Sequence, residues 1–295
     1  MASLQARVTT WILKRRLKPK LARATEPLEV RRLMRPPPME LPSGVLITQK
    51  QIGGVPGEWV EAGVPPGDTL LYLHGGGYVA CSAEMHRPIT VAFAQHGFRV
   101  FAPDYRLAPE HLFPAAVEDA VAVYRSLLQS GIPAGRIAVG GDSAGGGFAL
   151  AMLMSSRETR LPLPAAVVLF SPWTDLAATG ASLVTNDRRC AMFRGANIGP
   201  GARFYLGSAD PRNPLASPLY GDLSGLPPML IHAAEDEVLL DDSKRLAERA
   251  RAAGVRVVLK IWPVVPHDWQ LVPSMPEARK SLREASNFLH AEMDG

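Results

Sequence analysis

Short apolar runs alternate with helical segments over most of this 295-residue chain. The apolar runs are residues 69–73, 99–102, 137–140, 165–170, 229–233 and 255–261. The helical segments between and after them are residues 115–129, 144–156, 241–253 and 276–293. Nearly continuous apolar runs of this length are typical of strands that are buried on both faces. The alternation therefore predicts an α/β fold with a mostly parallel sheet and helices on both of its faces.

Two parts of the chain depart from this alternation. An amphipathic helical segment precedes the proline-rich stretch at residues 35–38, and two short strands are expected at residues 45–51 and 57–61. Residues 177–218 interrupt the rhythm between two predicted strands, so we expect them to form an excursion above the sheet.

The most informative stretch is Gly141-Asp142-Ser143-Ala144-Gly145, which lies between an apolar run and a helical run. It fits the pattern G-x-S-x-G, in which a sharp strand-to-helix turn exposes a serine hydroxyl in a strained conformation. The N-terminus of the following helix directs its N–H groups to the same place. The alternative is a glycine-rich connection with an incidental serine, but the flanking segments favour Ser143 as a nucleophile.

Three consecutive glycines follow the first of the apolar runs, in His74-Gly75-Gly76-Gly77-Tyr78. Ordering three glycines costs backbone entropy, so their presence calls for an explanation. Acyl transfer offers one, because backbone N–H groups must approach a developing alkoxide closely and side chains would obstruct them. We therefore predict an oxyanion hole formed by the amides of Gly75, Gly76 and Ala144. A phosphate-binding loop is the alternative, but the stretch matches neither G-x-G-x-x-G nor a P-loop.

The candidate general base is His267, in the loop that follows the last predicted strand. Catalytic loops of open α/β sheets gather at the carboxyl edge of the strands, where this loop should lie. Of the other histidines, His74 is expected to shape the glycine loop, His86 to begin a helix and His232 to lie inside a buried strand. The remaining three are most simply surface or capping residues: His96, His111 and His290.

The acid that orients this histidine is expected after the run at residues 229–233. The candidates are Glu235, Asp236, Glu237, Asp241 and Asp242. Asp241 and Asp242 are sufficiently explained as helix caps. The residues themselves do not separate Asp236 from Glu237.

Composition and charge exclude several classes of protein. The chain has 32 Lys and Arg against 28 Asp and Glu, and most of the excess lies in the first 35 residues, so no basic stripe for nucleic acid runs through its body. Two cysteines, Cys81 and Cys190, are too few for a disulfide framework, and we expect free thiols in a reducing compartment, with a single disulfide bridge as the alternative. No apolar run is long enough to span a membrane, and the order of the N-terminal residues does not fit a signal peptide. These features predict a cytoplasmic protein.

Taken together, several motifs resemble the hormone-sensitive-lipase-like family of esterases, in its Gly-Asp-Ser-Ala-Gly branch. They are residues 74–78, 103–119, 141–146, 171–175, 226–228 and 266–267, in the family's order and over about two-thirds of the chain. The resemblance implies the α/β-hydrolase fold with a small helical cap, formed here by residues 1–42 and part of 180–215, on a catalytic domain of residues 43–295. It also favours a homodimer. Acyl transfer by a serine, a histidine and an acid needs no metal or organic cofactor.

The family's acid motif, laid without gaps on residues 234–241, places the catalytic acid at Glu237. This chain departs from the family pattern there, with glutamate in place of the usual aspartate and Val238 in place of proline. The expected triad is thus Ser143, His267 and Glu237.

The function predicted from these residues is hydrolysis of short- to medium-chain acyl esters through an acyl-enzyme. The candidate pocket residues, each also explicable by core packing, are Tyr78, Trp173, Met192, Phe193, Tyr205 and Leu215. A lactonase or amidase with the same triad is the alternative within hydrolases, and a non-catalytic receptor with this fold is the alternative outside them. The basic N-terminal arm is expected to be a cap helix with a solvated face, and a membrane-surface helix is the other interpretation.

Overall fold

An eight-stranded sheet forms the centre of the molecule in the computed structural model, which describes residues 2–35, 39–63 and 67–294. Residues 36–38, where the prolines mark the predicted boundary, lie outside the described residues. The strands are β1 (Val45–Ile52), β2 (Val55–Ala62), β3 (Thr69–Leu73), β4 (Arg99–Pro103), β5 (Ile137–Asp142), β6 (Ala166–Phe170), β7 (Met229–Ala234) and β8 (Val257–Trp262). Each predicted strand is present, with ends that differ from the prediction by two residues or fewer.

The strand order is β1-β2-β4-β3-β5-β6-β7-β8. From β4 to β8 all neighbours are parallel, whereas β2 runs antiparallel to both β1 and β4. The predicted α/β class with a mostly parallel sheet is therefore confirmed. Because parallel strands end at the same edge, the segments that follow β3, β5, β7 and β8 emerge side by side.

Helices cover both faces of this sheet. In chain order the helices are α1 (Leu4–Ile12), α2 (Lys18–Leu21), α3 (Pro27–Leu33), α4 (Arg87–Gln95), α5 (Ala115–Gln129), α6 (Ala144–Glu158), α7 (Ser182–Thr185), α8 (Ile198–Leu206), α9 (Leu240–Ala252) and α10 (Pro276–Met293). Those that pack on the strands are α4, α5, α6, α9 and α10. No helix in the described ranges is both long and apolar enough to cross a lipid bilayer.

The core is divided by the sheet into two layers. In β3, Leu71 and Leu73 pack with residues of α5, α6 and α9, whereas Leu70 and Tyr72 pack with residues of α4 and α10. This division follows from the alternation of side chains along a strand. Burial of each such leucine contributes about 1.5–3 kcal/mol, which explains why the central strands read as continuous apolar runs.

Of the N-terminal helices, α2 lies against the segment that connects β6 to β7. Between α1 and α2 the helix makes a π-helical turn at Leu13–Leu17. The Lys18 ammonium at the start of α2 donates hydrogen bonds to the carbonyl oxygens of Asp187 and Cys190. The Asn197 side chain donates to the carbonyl oxygen of Ala22 at 3.1 Å. The segment after β6 thus leaves the sheet, as predicted, and carries α7 and α8 before β7 begins.

Candidate active site

Ser143 lies at the sharp turn between β5 and α6. Its backbone has φ +51° and ψ −120°, a conformation that costs a non-glycine residue on the order of 1–3 kcal/mol and occurs mainly at functional sites. The turn needs its two glycines, because an added Cβ at Gly141 would overlap the backbone of Gly145, and one at Gly145 would overlap the carbonyl oxygen of Leu73. The Ser143 N–H donates to the carbonyl oxygen of Phe170 at 2.8 Å and fixes the turn at the sheet edge.

The structure brings Ser143, His267 and Glu237 into one chain of hydrogen bonds. The Nε2 atom of His267 lies 2.9 Å from the Ser143 Oγ. Its Nδ1 atom lies 2.6 Å from the Glu237 Oε2. All three side chains are buried, and the other Glu237 oxygen accepts the N–H of Ala234 at 3.0 Å, which holds the carboxylate in place. This geometry gives a hydroxyl, a base and an orienting acid in the order that nucleophilic catalysis requires.

The other acidic candidates of the same loop have different partners. Asp236 is half-buried and forms an ion pair with Arg189 at 3.3 Å. Asp241 accepts the N–H of Ser182 at 2.8 Å. Asp242 accepts the N–H groups of residues 174 and 175, both at 2.8 Å, and burial raises the pKa of this carboxyl to about 8. Of the neighbouring carboxylates Asp236 and Glu237, the structure therefore places Glu237 on the imidazole.

The glycine loop departs from the prediction at Gly75. Its N–H points at the carboxylate of Asp142, with 3.1 Å between Gly75 N and Asp142 Oδ2, so this amide is already engaged and is not a free oxyanion donor. An added Cβ at Gly75 would overlap the same oxygen, which explains the glycine. Among the described residues, no acceptor bonds the amides of Gly76, Gly77 or Ala144. The prediction of Gly75 is corrected for this reason, whereas Gly76 and Ala144 keep free amides.

A buried polar network lies behind the glycine loop. The Asp142 carboxylate accepts the hydroxyl of Tyr72 at 2.7 Å and lies 3.1 Å from the Nε2 of His86. Burial raises the pKa of Asp142, but the His86 imidazole and the Tyr72 hydroxyl outweigh burial, so the pKa lies below its ordinary value. Burial lowers the pKa of His86, and Asp142 reverses this effect and raises it. His86, expected to do no more than begin a helix, thus helps to anchor the loop.

His74 has the structural role that the sequence predicts for it. Its ring stacks on Tyr105 with 4.3 Å between ring centroids, and its Nδ1 lies 2.7 Å from the carbonyl oxygen of Gly75. Burial, together with the nearby His86, lowers the pKa of His74 to about 3. A histidine in this environment stays neutral and packs the loop.

Asp268 was not among the sequence candidates, although it contacts the imidazole of His267 directly. Its Oδ2 lies 3.0 Å from the Nε2 of His267, the atom that also faces Ser143. A left-handed backbone, with φ +50° and ψ +43°, turns this carboxylate back towards the imidazole. Burial lowers the pKa of His267, but Asp268 and Glu237 outweigh it and raise the pKa well above the ordinary value. Burial also raises the pKa of Asp268 itself to about 7.

The six pocket candidates fall into two groups. Tyr78, Trp173 and Tyr205 are buried in the main core, where Tyr78 and Tyr205 stack with 4.4 Å between ring centroids. Met192, Phe193 and Leu215 are half-buried. Phe193 directs its ring edge-on to the imidazole of His267, with 5.2 Å between centroids. Within residues 2–35, 39–63 and 67–294, no three His, Cys, Asp or Glu side chains cluster as metal ligands would.

Comparisons with known proteins agree with this fold. The family model of the α/β hydrolase fold matches residues 70–271. An acetyl-hydrolase of Streptomyces hygroscopicus is 46% identical over 251 residues, which cover 84% of this chain and 83% of that protein. The crystal structure of an esterase from the bacterial hormone-sensitive lipase family superimposes with a TM-score of 0.91 and 41% identity, covering 99% of this chain and 100% of the other. The esterase EstE5, in a crystal soaked with p-nitrophenyl butyrate, gives a TM-score of 0.94 at 38% identity over 100% of both chains.

Proposed function

Because the chain belongs to the α/β hydrolase fold family, among the esterases similar to hormone-sensitive lipase, it is a carboxylesterase, and we propose that Ser143, His267 and Glu237 form its catalytic triad. The observation that carries the proposal is the continuous hydrogen-bond chain from the Ser143 hydroxyl through His267 to the Glu237 carboxylate. A serine hydroxyl at its ordinary pKa is a weak nucleophile, and a neutral imidazole at 2.9 Å can remove its proton as it attacks.

The reaction proceeds through an acyl-enzyme. The Ser143 oxygen adds to the ester carbonyl while the Nε2 of His267 takes the hydroxyl proton, and Glu237 stabilises the imidazolium through Nδ1. His267 then gives this proton to the departing alcohol as the C–O bond breaks. A water molecule next loses a proton to His267 and attacks the acyl group, and the carboxylic acid leaves as Ser143 regains its proton.

The alkoxide formed in each half-reaction needs fixed N–H donors. We assign this role to Gly76, Gly77 and Ala144, because their amides are free of acceptors among the described residues. The glycine loop follows β3, which is the parallel neighbour of β5 in the sheet, and β5 ends at the turn of Ser143. Gly75 is a supporting position whose amide is bonded to Asp142. Loss of one such donor typically lowers turnover by roughly 10²–10³.

The test is a pair of triad variants with a matched control. Ser143→Ala should lower kcat by up to ~10⁶ and abolish labelling by a fluorophosphonate, whereas Glu237→Gln should cost on the order of 10⁴. Asp236→Asn removes a carboxylate from the neighbouring position and should leave kcat within a few-fold of the native value. A Ser143→Ala enzyme with native turnover, or an Asp236→Asn loss as large as that of Glu237→Gln, would contradict the assignment.

We also propose a preference for short- to medium-chain acyl groups. The Streptomyces relative is named an acetyl-hydrolase, the EstE5 crystal was soaked with a butyrate ester, and the Phe193 ring limits the space beside His267. Each methylene adds about 1–3 kcal/mol of binding until the wall of the pocket is reached. A series of p-nitrophenyl esters from acetate to palmitate should therefore give a kcat/KM maximum at butyrate or hexanoate. Faster hydrolysis of the palmitate ester would rule this preference out.

The cap, the oligomeric state and the location of the protein are further parts of the proposal. We assign the cap to residues 1–42 with part of 180–215, on a catalytic domain of residues 43–295, because Lys18 and Asn197 link the two cap segments by hydrogen bonds. A homodimer is supported by the edge strand β8, where Val258 and Ile261 are exposed, and sedimentation equilibrium at micromolar concentration tests it. A cytoplasmic location is supported by the free thiols Cys81 and Cys190, and cell fractionation tests it.

A further inference from the structure

The N-terminal helix α1 has two apolar faces, and one of them faces solvent. On the inner face, Ala6 is fully buried against a cluster that includes Trp262 and Trp269. The outer face carries four apolar side chains at the spacing i, i+4, i+7 and i+8, which are Leu4 (73% exposed), Val8 (45%), Trp11 (56%) and Ile12 (42%). Helical residues at this spacing form one continuous stripe. An exposed stripe of this kind marks a binding surface more often than a single exposed apolar residue does.

The same segment concentrates positive charge. Seven basic residues and no acidic residue precede Glu26, and they are Arg7, Lys14, Arg15, Arg16, Lys18, Lys20 and Arg23. The whole chain has 32 basic and 28 acidic residues, so the rest of the molecule is slightly acidic. The guanidinium of Arg15 lies 5.6 Å from the centroid of the Trp11 ring, which places charge directly beside the apolar stripe.

A cavity of about 400 Å³ opens beside α2, and its lining is strongly basic. The five cationic side chains in the lining are Lys14, Lys18, Arg23, Arg188 and Arg194. Lys18 is buried and turns its ammonium to backbone carbonyls, and Arg194 pairs with Asp187 at 3.1 Å. In the part of the chain that the structure describes, Lys14, Arg23 and Arg188 form no ion pair. These three cations are therefore available to bind an anion from outside the protein. The cavity has the size and charge to receive a phosphate-bearing headgroup.

We propose that α1 and this basic cavity dock the enzyme on an anionic phospholipid surface. The stripe of Leu4, Val8, Trp11 and Ile12 enters the boundary between headgroups and acyl chains, as amphipathic helices with a basic flank do. The basic side chains contact the phosphate and other anionic groups of the lipids, at about 1 kcal/mol, or roughly fivefold in affinity, for each cation near the surface.

A second copy of the chain fits this surface poorly. Two such faces in contact would bring the basic residues of both copies together, and like charges opposed in an interface oppose association. The Trp11 and Arg15 pair suits a membrane interface, where an indole ring meets both apolar chains and polar headgroups. Docking here also places the catalytic loop near the bilayer, because the cluster beneath Ala6 includes Val265 and Trp269, which flank His267.

Vesicle binding by the full chain tests the proposal. Phosphatidylcholine vesicles with about a third of phosphatidylglycerol should cosediment the protein at low salt, vesicles of phosphatidylcholine alone should not, and binding should fall as salt is raised above about 0.1 M. Tryptophan emission should shift to shorter wavelength on binding. That shift reports on Trp11, because the other four tryptophans, Trp59, Trp173, Trp262 and Trp269, are 6% exposed or less.

Matched variants separate the two contributions to binding. The double variant Val8→Ser, Trp11→Ser removes half of the apolar stripe. The double variant Arg15→Gln, Arg16→Gln removes two positive charges and should lose about 25-fold in vesicle affinity. Leu46→Ser and Lys50→Gln are the controls, since both residues are exposed on the edge strand β1, and they should bind as the native chain does. Turnover of soluble p-nitrophenyl butyrate should stay within twofold in all of them, which shows that they fold.

Three results would overturn the proposal. The first is the absence of binding to the anionic vesicles at low salt, and the second is the same vesicle affinity for the α1 variants as for the β1 controls. The third is a change of oligomeric state in the Val8→Ser, Trp11→Ser protein, which would make this face a contact between copies. None of these results bears on the triad, because the soluble ester reports hydrolysis separately.

Discussion

Replacement of Asp268 by Asn is expected to move the acid limb of the pH–rate profile to lower pH. In the proposed mechanism His267 acts as a base when its imidazole is neutral, and the Asp268 carboxylate, 3.0 Å from Nε2, favours the protonated form. The pKa of His267 therefore lies well above its ordinary value, and kcat/KM should rise as pH increases through that raised pKa. Asn has nearly the same shape without the charge. The variant should thus reach its full kcat/KM at a lower pH than the native enzyme.

The size of this shift follows from the geometry. Unit charges centred about 4 Å apart, at an effective dielectric constant of about 20, interact by about 4 kcal/mol, which corresponds to ~3 pKa units. Asp268 has a pKa of about 7, so it carries a full charge in the alkaline part of the range and a partial charge near neutrality. The measured shift is consequently smaller than this limit, and we expect at least about 1 unit.

The assay is kcat/KM for a soluble p-nitrophenyl ester between pH 5 and pH 10, because kcat/KM reports the pKa values of the free enzyme. Asp236→Asn is the control, since it removes one carboxylate from the loop of the catalytic acid but leaves the Nε2 of His267 untouched. The height of the plateau is not the readout, as an amide at position 268 can alter it. The acid-limb midpoints of kcat/KM are compared for the native enzyme, Asp268→Asn and Asp236→Asn. If all three coincide within a few tenths of a pH unit, the contact between Asp268 and His267 does not influence the pKa of His267 in the working enzyme.

Two further variants examine the support behind the glycine loop. Gly75→Ala would bring a methyl group into contact with the Asp142 carboxylate and should lower kcat/KM by about 10²-fold or more, which is the scale of a lost oxyanion donor. Gly135→Ala is the control, because Gly135 has open space around it and an ordinary φ. It should match the native enzyme in activity and melting temperature. Tyr72→Phe removes a donor from the buried Asp142 and should lower the free energy of unfolding in urea by about 1–3 kcal/mol at pH 7. Because the pKa of Asp142 is depressed in the folded protein, this stabilisation is present above the unfolded-state pKa and is lost as pH falls through the folded-state pKa. The difference in free energy of unfolding between the native and Tyr72→Phe proteins should therefore narrow below about pH 4. A constant difference down to pH 2 would contradict this reasoning.

Much of the fold could be predicted because hydrophobic periodicity and topology leave few alternatives. Apolar runs that are buried on both faces are typical of the inner strands of a parallel sheet. The loops that follow parallel strands all lie at the carboxyl edge of the sheet. This single consequence brings Ser143, Glu237 and His267 together from three distant parts of the sequence. Their catalytic roles remain predictions, whereas their proximity is a direct result of the strand order.

Two features of the site could not be read from the chain. The direction of the Gly75 amide depends on Asp142, the last residue of β5, and on His86 and Tyr72, so no local pattern indicates that this amide is engaged. The role of Asp268 depends on a left-handed backbone at a residue that is neither glycine nor asparagine. Asp adopts the left-handed region more readily than most residues do, but the sequence does not show whether a given Asp adopts it.

The turn at Ser143 also restricts which amino acid can serve as the nucleophile. Threonine has the same hydroxyl group, yet its second Cβ substituent makes a positive φ such as +51° a severe steric outlier. Cysteine has an unbranched Cβ and meets no such obstacle. Exchange of the attacking atom from oxygen to sulfur is therefore compatible with this backbone, whereas addition of one methyl group to the serine is not.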